Sequence, residues 1–197
     1  MKVKIHALLL LFLSAKSLQT GAIELPRSNP VPGGIAIIGL TEAVKPKPTA
    51  YFEENQVMVV KHKNWWRAII GLPLTIPTGE NQLSYTERDG SQYIVYFKIK
   101  NKNYKKQYIT LKNKRQVEPS PEDLARINDE DQKIIQAFKS WSNNDSPQLR
   151  FSLPVKGKLS SEFGLRRFFN QNPRKPHSGI DLAAPKGTPV YAPASGT

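Results

Sequence analysis

The sequence predicts a mainly β protein: an N-terminal antiparallel β module, one linking helix, and the start of a further antiparallel β domain. Three observations carry this expectation. Sixteen prolines and twelve glycines punctuate 197 residues, which leaves little room for long helices. Between Tyr51 and Leu111 the chain runs in short β-branched and aromatic segments separated by turn residues. A single stretch, Ser120 to Trp141, carries a helical period.

The elements follow in order. Met1–Lys4 is basic, Ile5–Leu13 is an apolar run, and Thr20-Gly21-Ala22 offers small residues for cleavage. This order predicts a secretory signal peptide over residues 1–22, with an uncleaved membrane-anchoring N-terminus as the alternative. The apolar run is too short for a spanning helix, and no other stretch could cross a bilayer. Residues 23–118 form the expected β-rich accessory domain, which opens with the proline-rich "ELPRSNPVPGG" and the apolar "IAIIGL". The strand candidates are "QVMVV", "WWRAIIGL", "LTI", "QYIVYFKI" and "QYITL", enough for a small sandwich or barrel. Asp89-Gly90 predicts a two-residue type I′ hairpin between "QLSYTER" and "SQYIVYF".

Residues 119–147 are expected to be helix and linker. Ser120 suits the cap, Pro121 the first helical position, and Glu122 and Asp123 complement the positive end of the dipole. Leu124, Ile127, Ile134, Ile135, Phe138 and Trp141 form a stripe that should pack on a sheet face.

The charge narrows the partners. The net charge is +13; residues 1–22 hold three lysines and no acid, so the rest keeps +10. Outside the cytoplasm such an excess favours anionic envelope polymers over nucleic acid. Lys98 to Arg115 concentrates the charge, with Tyr104 and Tyr108 interleaved. A single-stranded nucleic-acid surface could look like this, but solvated strands with lysines guarding an edge explain it more simply. Trp65-Trp66 fits a strand that sends one ring inward, and His62 fits a surface strand position. Cysteine is absent, which excludes disulfides, thiolate metal sites and a cysteine nucleophile.

His177 and Asp181 are normal zinc-ligand types, although His-x-x-x-Asp alone is common by chance. In an extended strand residues four apart lie about 13 Å from each other, so a shared ion needs a bend, cheapest at Gly179. The context is more specific. Ser161, Phe163-Gly164-Leu165-Arg166, His177-Ser178-Gly179-Ile180-Asp181-Leu182-Ala183-Ala184-Pro185, Gly187-Thr188-Pro189-Val190, Ala192 and Ser195-Gly196-Thr197 stand in register. Together they resemble the opening of the lysostaphin-type (LytM-like) zinc metallopeptidase domain, over about the last forty residues.

The resemblance implies an exported enzyme of the periplasm or cell envelope that hydrolyses peptide cross-links of peptidoglycan. Residues 148–197 would be an incomplete antiparallel β catalytic domain. His177 and Asp181 would be two ligands of one Zn2+, with Arg166 near the groove mouth as a substrate-positioning or structural residue. The family's third ligand and its helper histidine lie in a later H-x-H element. No histidine follows His177 here, so catalytic residues are expected beyond Thr197. The chain alone is expected to bind zinc weakly and to leave peptidoglycan uncut. A non-catalytic LytM-like regulator of cell-wall hydrolases is the alternative.

Overall fold

The computed structural model describes residues 23–112, 115, 118–143 and 147–195. The signal-peptide reading of residues 1–22 and the final Gly196-Thr197 lie outside them. Among the described residues no helix is long and apolar enough to cross a membrane.

Six strands build the N-terminal part: β1 (Ile35–Glu42), β2 (Thr49–Phe52), β3 (Asn55–His62), β4 (Trp65–Gly71), β5 (Gly79–Thr86) and β6 (Gln92–Ile99). They form one antiparallel sheet in the order β1-β4-β3-β2-β5-β6. The sheet curls until its outer strands meet, and the Lys100 amide donates to the Pro30 carbonyl at 2.8 Å across the closure. Alternate residues point inward, as a sheet with one covered face requires. Ala36, Ala50, Phe52, Val59, Ala68, Ile70, Leu83, Tyr85 and Ile99 make the core. "LTI" is a correction: Leu74-Thr75-Ile76 is a turn, closed by the Ile76 amide on the Pro73 carbonyl, and Ile76 alone is buried.

Turn geometry departs from the expectation as well. The β5–β6 hairpin exists, but its last strand pair is Thr86 with Gln92. Gly90 donates to the Glu87 carbonyl at 3.0 Å and Glu87 to the Ser91 carbonyl at 2.9 Å. Only Gly90 of the Asp89-Gly90 pair has a positive φ, which makes a three-residue loop with a bulge. Two-residue hairpins occur instead at Glu53-Glu54, Lys63-Asn64 and Asn170-Gln171. At Asn170-Gln171 both loop residues have positive φ, the type I′ signature.

After β6 come β7 (Lys106–Ile109), α1 (Pro121–Lys139), β8 (Lys158–Ser161), β9 (Arg166–Phe169), β10 (Asn172–Pro173) and β11 (Asp181–Ala183). β7 pairs in parallel with β9, and β9 continues antiparallel to β10. β8 and β11 form a separate antiparallel pair. The segment following the N-terminal sheet is thus hydrogen-bonded into the C-terminal part.

α1 begins as its sequence dictates. The Ser120 side chain accepts from the Asp123 amide, Asp123 accepts from the Ser120 amide, and Pro121 opens the first turn. Its stripe is a second correction. No residue of α1 is buried, and Leu124, Ile134, Ile135 and Phe138 are exposed. The expected packing on a sheet face is not made among the described residues, so the helix rests on local terms: its cap, the Arg126–Glu130 and Lys133–Asp129 pairs, and propensity.

Candidate metal centre

The site is assembled by backbone pairing around His177. The Gly164 amide donates to the His177 carbonyl at 2.7 Å, and the His177 amide donates to the Leu165 carbonyl at 2.9 Å. These two bonds lay the His177 strand beside the Phe163-Gly164-Leu165 turn. Gly164 has φ +86, and a Cβ there would lie 2.1 Å from the Tyr104 ring, so only glycine fits. Tyr104 fixes this turn to the N-terminal sheet by donating its hydroxyl to the Pro32 carbonyl at 2.8 Å. Its ring also meets Phe163 edge-on at 6.2 Å.

Asp181 starts β11 directly opposite Ser161, the last residue of β8. The register slips between Asp181 and Leu182, which leaves Ser160 as the extra residue, its hydroxyl on the Asp181 carbonyl at 3.1 Å. The chain bends at Gly179, but that residue has no positive φ, and an added Cβ would meet nothing closer than His177 Nε2 at 3.9 Å. The bend together with the slip brings the two side chains face to face, with Nε2 of His177 3.2 Å from Oδ1 of Asp181.

The polarity of this pair is informative. His177 Nδ1 lies 3.1 Å from the Glu162 carbonyl and 3.2 Å from Ser161 Oγ. A carbonyl only accepts, so Nδ1 is the nitrogen suited to donate there, and Nε2 is the one left facing a carboxylate oxygen, two ligand atoms that a shared cation would satisfy. A tetrahedral zinc with bonds of about 2.0–2.1 Å has ligand atoms about 3.3–3.4 Å apart, close to the observed gap. The His177 ring is 12% exposed and the Asp181 carboxylate 52%, so the pair is held from behind and open in front. Among the described residues no group of three histidine, cysteine or acidic side chains surrounds a common point. The donor set suits zinc in type and spacing and consists of two side chains.

Arg167, which the sequence reading passed over, reaches the pair. Its Nη2 donates to Ser161 Oγ at 2.8 Å and to Asp181 Oδ2 at 3.2 Å, and its Nε donates to Gln107 Oε1 at 3.2 Å. Arg166, its neighbour in β9, points to the other face, where it is exposed beside Lys106. "RR" at 166–167 signals two arginines, but only the strand's placement says which one faces the site. The basic stretch 98–115 is divided: Lys102 sits over the Tyr104 ring at 4.6 Å, Lys105 pairs with Glu162, and Tyr108 stacks on Phe168 at 4.7 Å. Trp66 packs on the core and donates to the Lys45 carbonyl, whereas Trp65 is exposed. His62 lies 3.2 Å from the Ile23 carbonyl.

Residues 28–102, the N-terminal sheet, match the peptidase family M23 N-terminal domain. A crystal structure of a Pseudomonas aeruginosa protein assigned to peptidase M23 aligns with 84% of this chain at 32% identity and a TM-score of 0.64. The chain spans 60% of that protein's length. A Bacteroides ovatus protein of a mixed-linkage glucan utilization locus, solved with a mixed-linkage heptasaccharide, covers 41% of this chain and 22% of its own at 16% identity. Its TM-score of 0.27 carries no argument. Comparison with curated proteins gave no match. Its first sheet thus matches the N-terminal domain of peptidase family M23, and most of its length is similar to a protein assigned to that family.

Proposed function

We propose that this chain is part of an exported zinc metallopeptidase that hydrolyses peptide cross-links of peptidoglycan. The observation that carries the proposal is the 3.2 Å approach of His177 Nε2 to Asp181 Oδ1, within the H-S-G-I-D element and with Nδ1 turned to the Glu162 carbonyl. A zinc ion held there would supply a Lewis acid for the scissile carbonyl and a more acidic water. This chain's own residues would do the rest. Glu162 and Ser161 hold the Nδ1 side of the imidazole, and Arg167 leaves Asp181 Oδ1 as the oxygen facing His177. The exposed front of the carboxylate gives a substrate access. In the family that the motif resembles, a later H-x-H element supplies a further ligand and a proton-transfer group.

Excess positive charge would favour dwelling on anionic envelope polymers. The N-terminal domain would serve as an accessory module to the catalytic part.

The experiment is zymography of the whole protein on purified peptidoglycan, with and without chelator. Clearing that disappears with chelator and in His177→Ala, and by at least about a hundredfold, is expected. Clearing that survives both would remove the zinc reading. Binding to the wall without any clearing would favour a non-catalytic regulator.

A further inference from the structure

Taking His177 and Asp181 as metal ligands, we infer that Arg167 is the positioning residue for both of them. We further infer that Gln107, delivered by β7, is the anchor that aims Arg167. The two ligands are linked through one atom. Nη2 of Arg167 holds Asp181 Oδ2 directly, and it holds Ser161 Oγ, which lies 3.2 Å from His177 Nδ1. With Oδ2 engaged, the free oxygen is Oδ1, which faces Nε2 of His177. With Ser161 engaged, the Nδ1 side of the ring is held against Ser161 and Glu162, and the imidazole plane is set.

The guanidinium in turn is aimed from its other end. Gln107 and Arg167 are register partners in the parallel β7–β9 pair, so both side chains stand on the same face. Gln107 Oε1 accepts from Nε at 3.2 Å. Arg167 is only 24% exposed, so water competes weakly for this position. A guanidinium beside a divalent cation is unfavourable by charge alone, so its contribution must be geometric: a rigid fork that a lysine cannot copy. β7 follows directly on the N-terminal domain matched over residues 28–102. Gln107 thus adds a side-chain link from the N-terminal half of the chain to the pair, beside the Tyr104 and Lys105 contacts.

The test is a zinc titration of the whole chain, followed by NMR of the imidazole signals. With three histidines in the sequence, His177 is resolvable and His62 is an internal control. Arg167→Ala is expected to weaken zinc at His177 by about tenfold to a hundredfold, the usual effect of removing a partner behind a metal ligand. Gln107→Ala is expected to weaken it about threefold to tenfold, and Arg167→Lys to restore little of the loss. Unchanged or tighter zinc binding in Arg167→Ala overturns the inference, as does full rescue by lysine. If Arg167→Ala fails to fold, Gln107→Ala decides, and an unchanged affinity there overturns the anchor. His177→Ala separates the two levels. If it leaves zinc binding intact, the ligand reading falls and this inference with it. If it abolishes binding while Arg167→Ala does not, only the positioning role falls.

Discussion

At the scale of single residues, the glycines of the "FGLR" and "HSGID" motifs do different jobs. Gly164 combines a left-handed φ with a Tyr104 ring pressed where a Cβ would be. Gly164→Ala is expected to cost at least about 2 kcal/mol in urea unfolding, from strain and overpacking together. Gly179 has neither constraint. Gly179→Ala is expected to leave stability within about 0.5 kcal/mol of wild type, an effect typical of open sites. A destabilisation as large as that of Gly164→Ala would show that the bend at 179 needs glycine after all. Sequence reading put the special glycine at 179 because the ligands flank it; the crowding at 164 depends on Tyr104, sixty residues away.

At the scale of elements, α1 depends on its first turn, since it buries nothing. Arg115 donates to the Asp123 carboxylate through Nε at 2.5 Å and Nη2 at 3.0 Å. This guanidinium, followed by the Ser120 bonds, lowers the Asp123 pKa from 3.8 to about 2. A depressed carboxyl stabilises in its ionised form, so the contribution is intact above the ordinary value and is lost as pH falls from about 4 toward 2. Helical circular dichroism is expected to decline across that window. In Arg115→Ala the folded pKa moves back toward the ordinary value, so the decline should be smaller and end at higher pH; an unchanged profile would remove Arg115 from the account. The hairpins teach a related lesson at this scale. Asp89-Gly90 is the textually strongest turn, yet its strands are spaced for a bulged three-residue loop, while Glu53-Glu54 closes a tight hairpin without glycine. Register between inward-facing residues decides loop length, and turn residues then accommodate it.

At the scale of the whole molecule, burial is uneven. Every member of the core cluster lies between Ala36 and Ile99. Among the described residues of the C-terminal part Leu159, Ile180, Val190 and Tyr191 are exposed, and only Ser161 and Gly164 are buried. Cooperative unfolding should therefore belong to the N-terminal sheet. A fragment of residues 23–105, which keeps the Lys100–Pro30 closure and the Tyr104–Pro32 bond, is expected to unfold in one transition. Its midpoint in thermal melting should lie within a few degrees of the whole chain's. Non-cooperative melting of the fragment would show that β7, β9 and the Tyr104 junction hold the sheet together.

The mainly β class, the helix with its capping serine, and the pairing of His177 with Asp181 as candidates were all readable in the chain, because each rests on local chemistry. Alternating apolar residues, a cap with acids behind it, and ligand types beside a glycine are patterns within about twenty residues. Three matters awaited the tertiary structure. Arg167 rather than Arg166 enters the site, since adjacent strand residues face opposite ways and only the neighbours of β9 name the inner side. Gln107 joins it because β7 pairs in parallel across some sixty residues, a distance no local pattern encodes. The stripe of α1 stays uncovered among the described residues, since amphipathicity states a capacity for packing and the partner surface must come from elsewhere in the fold.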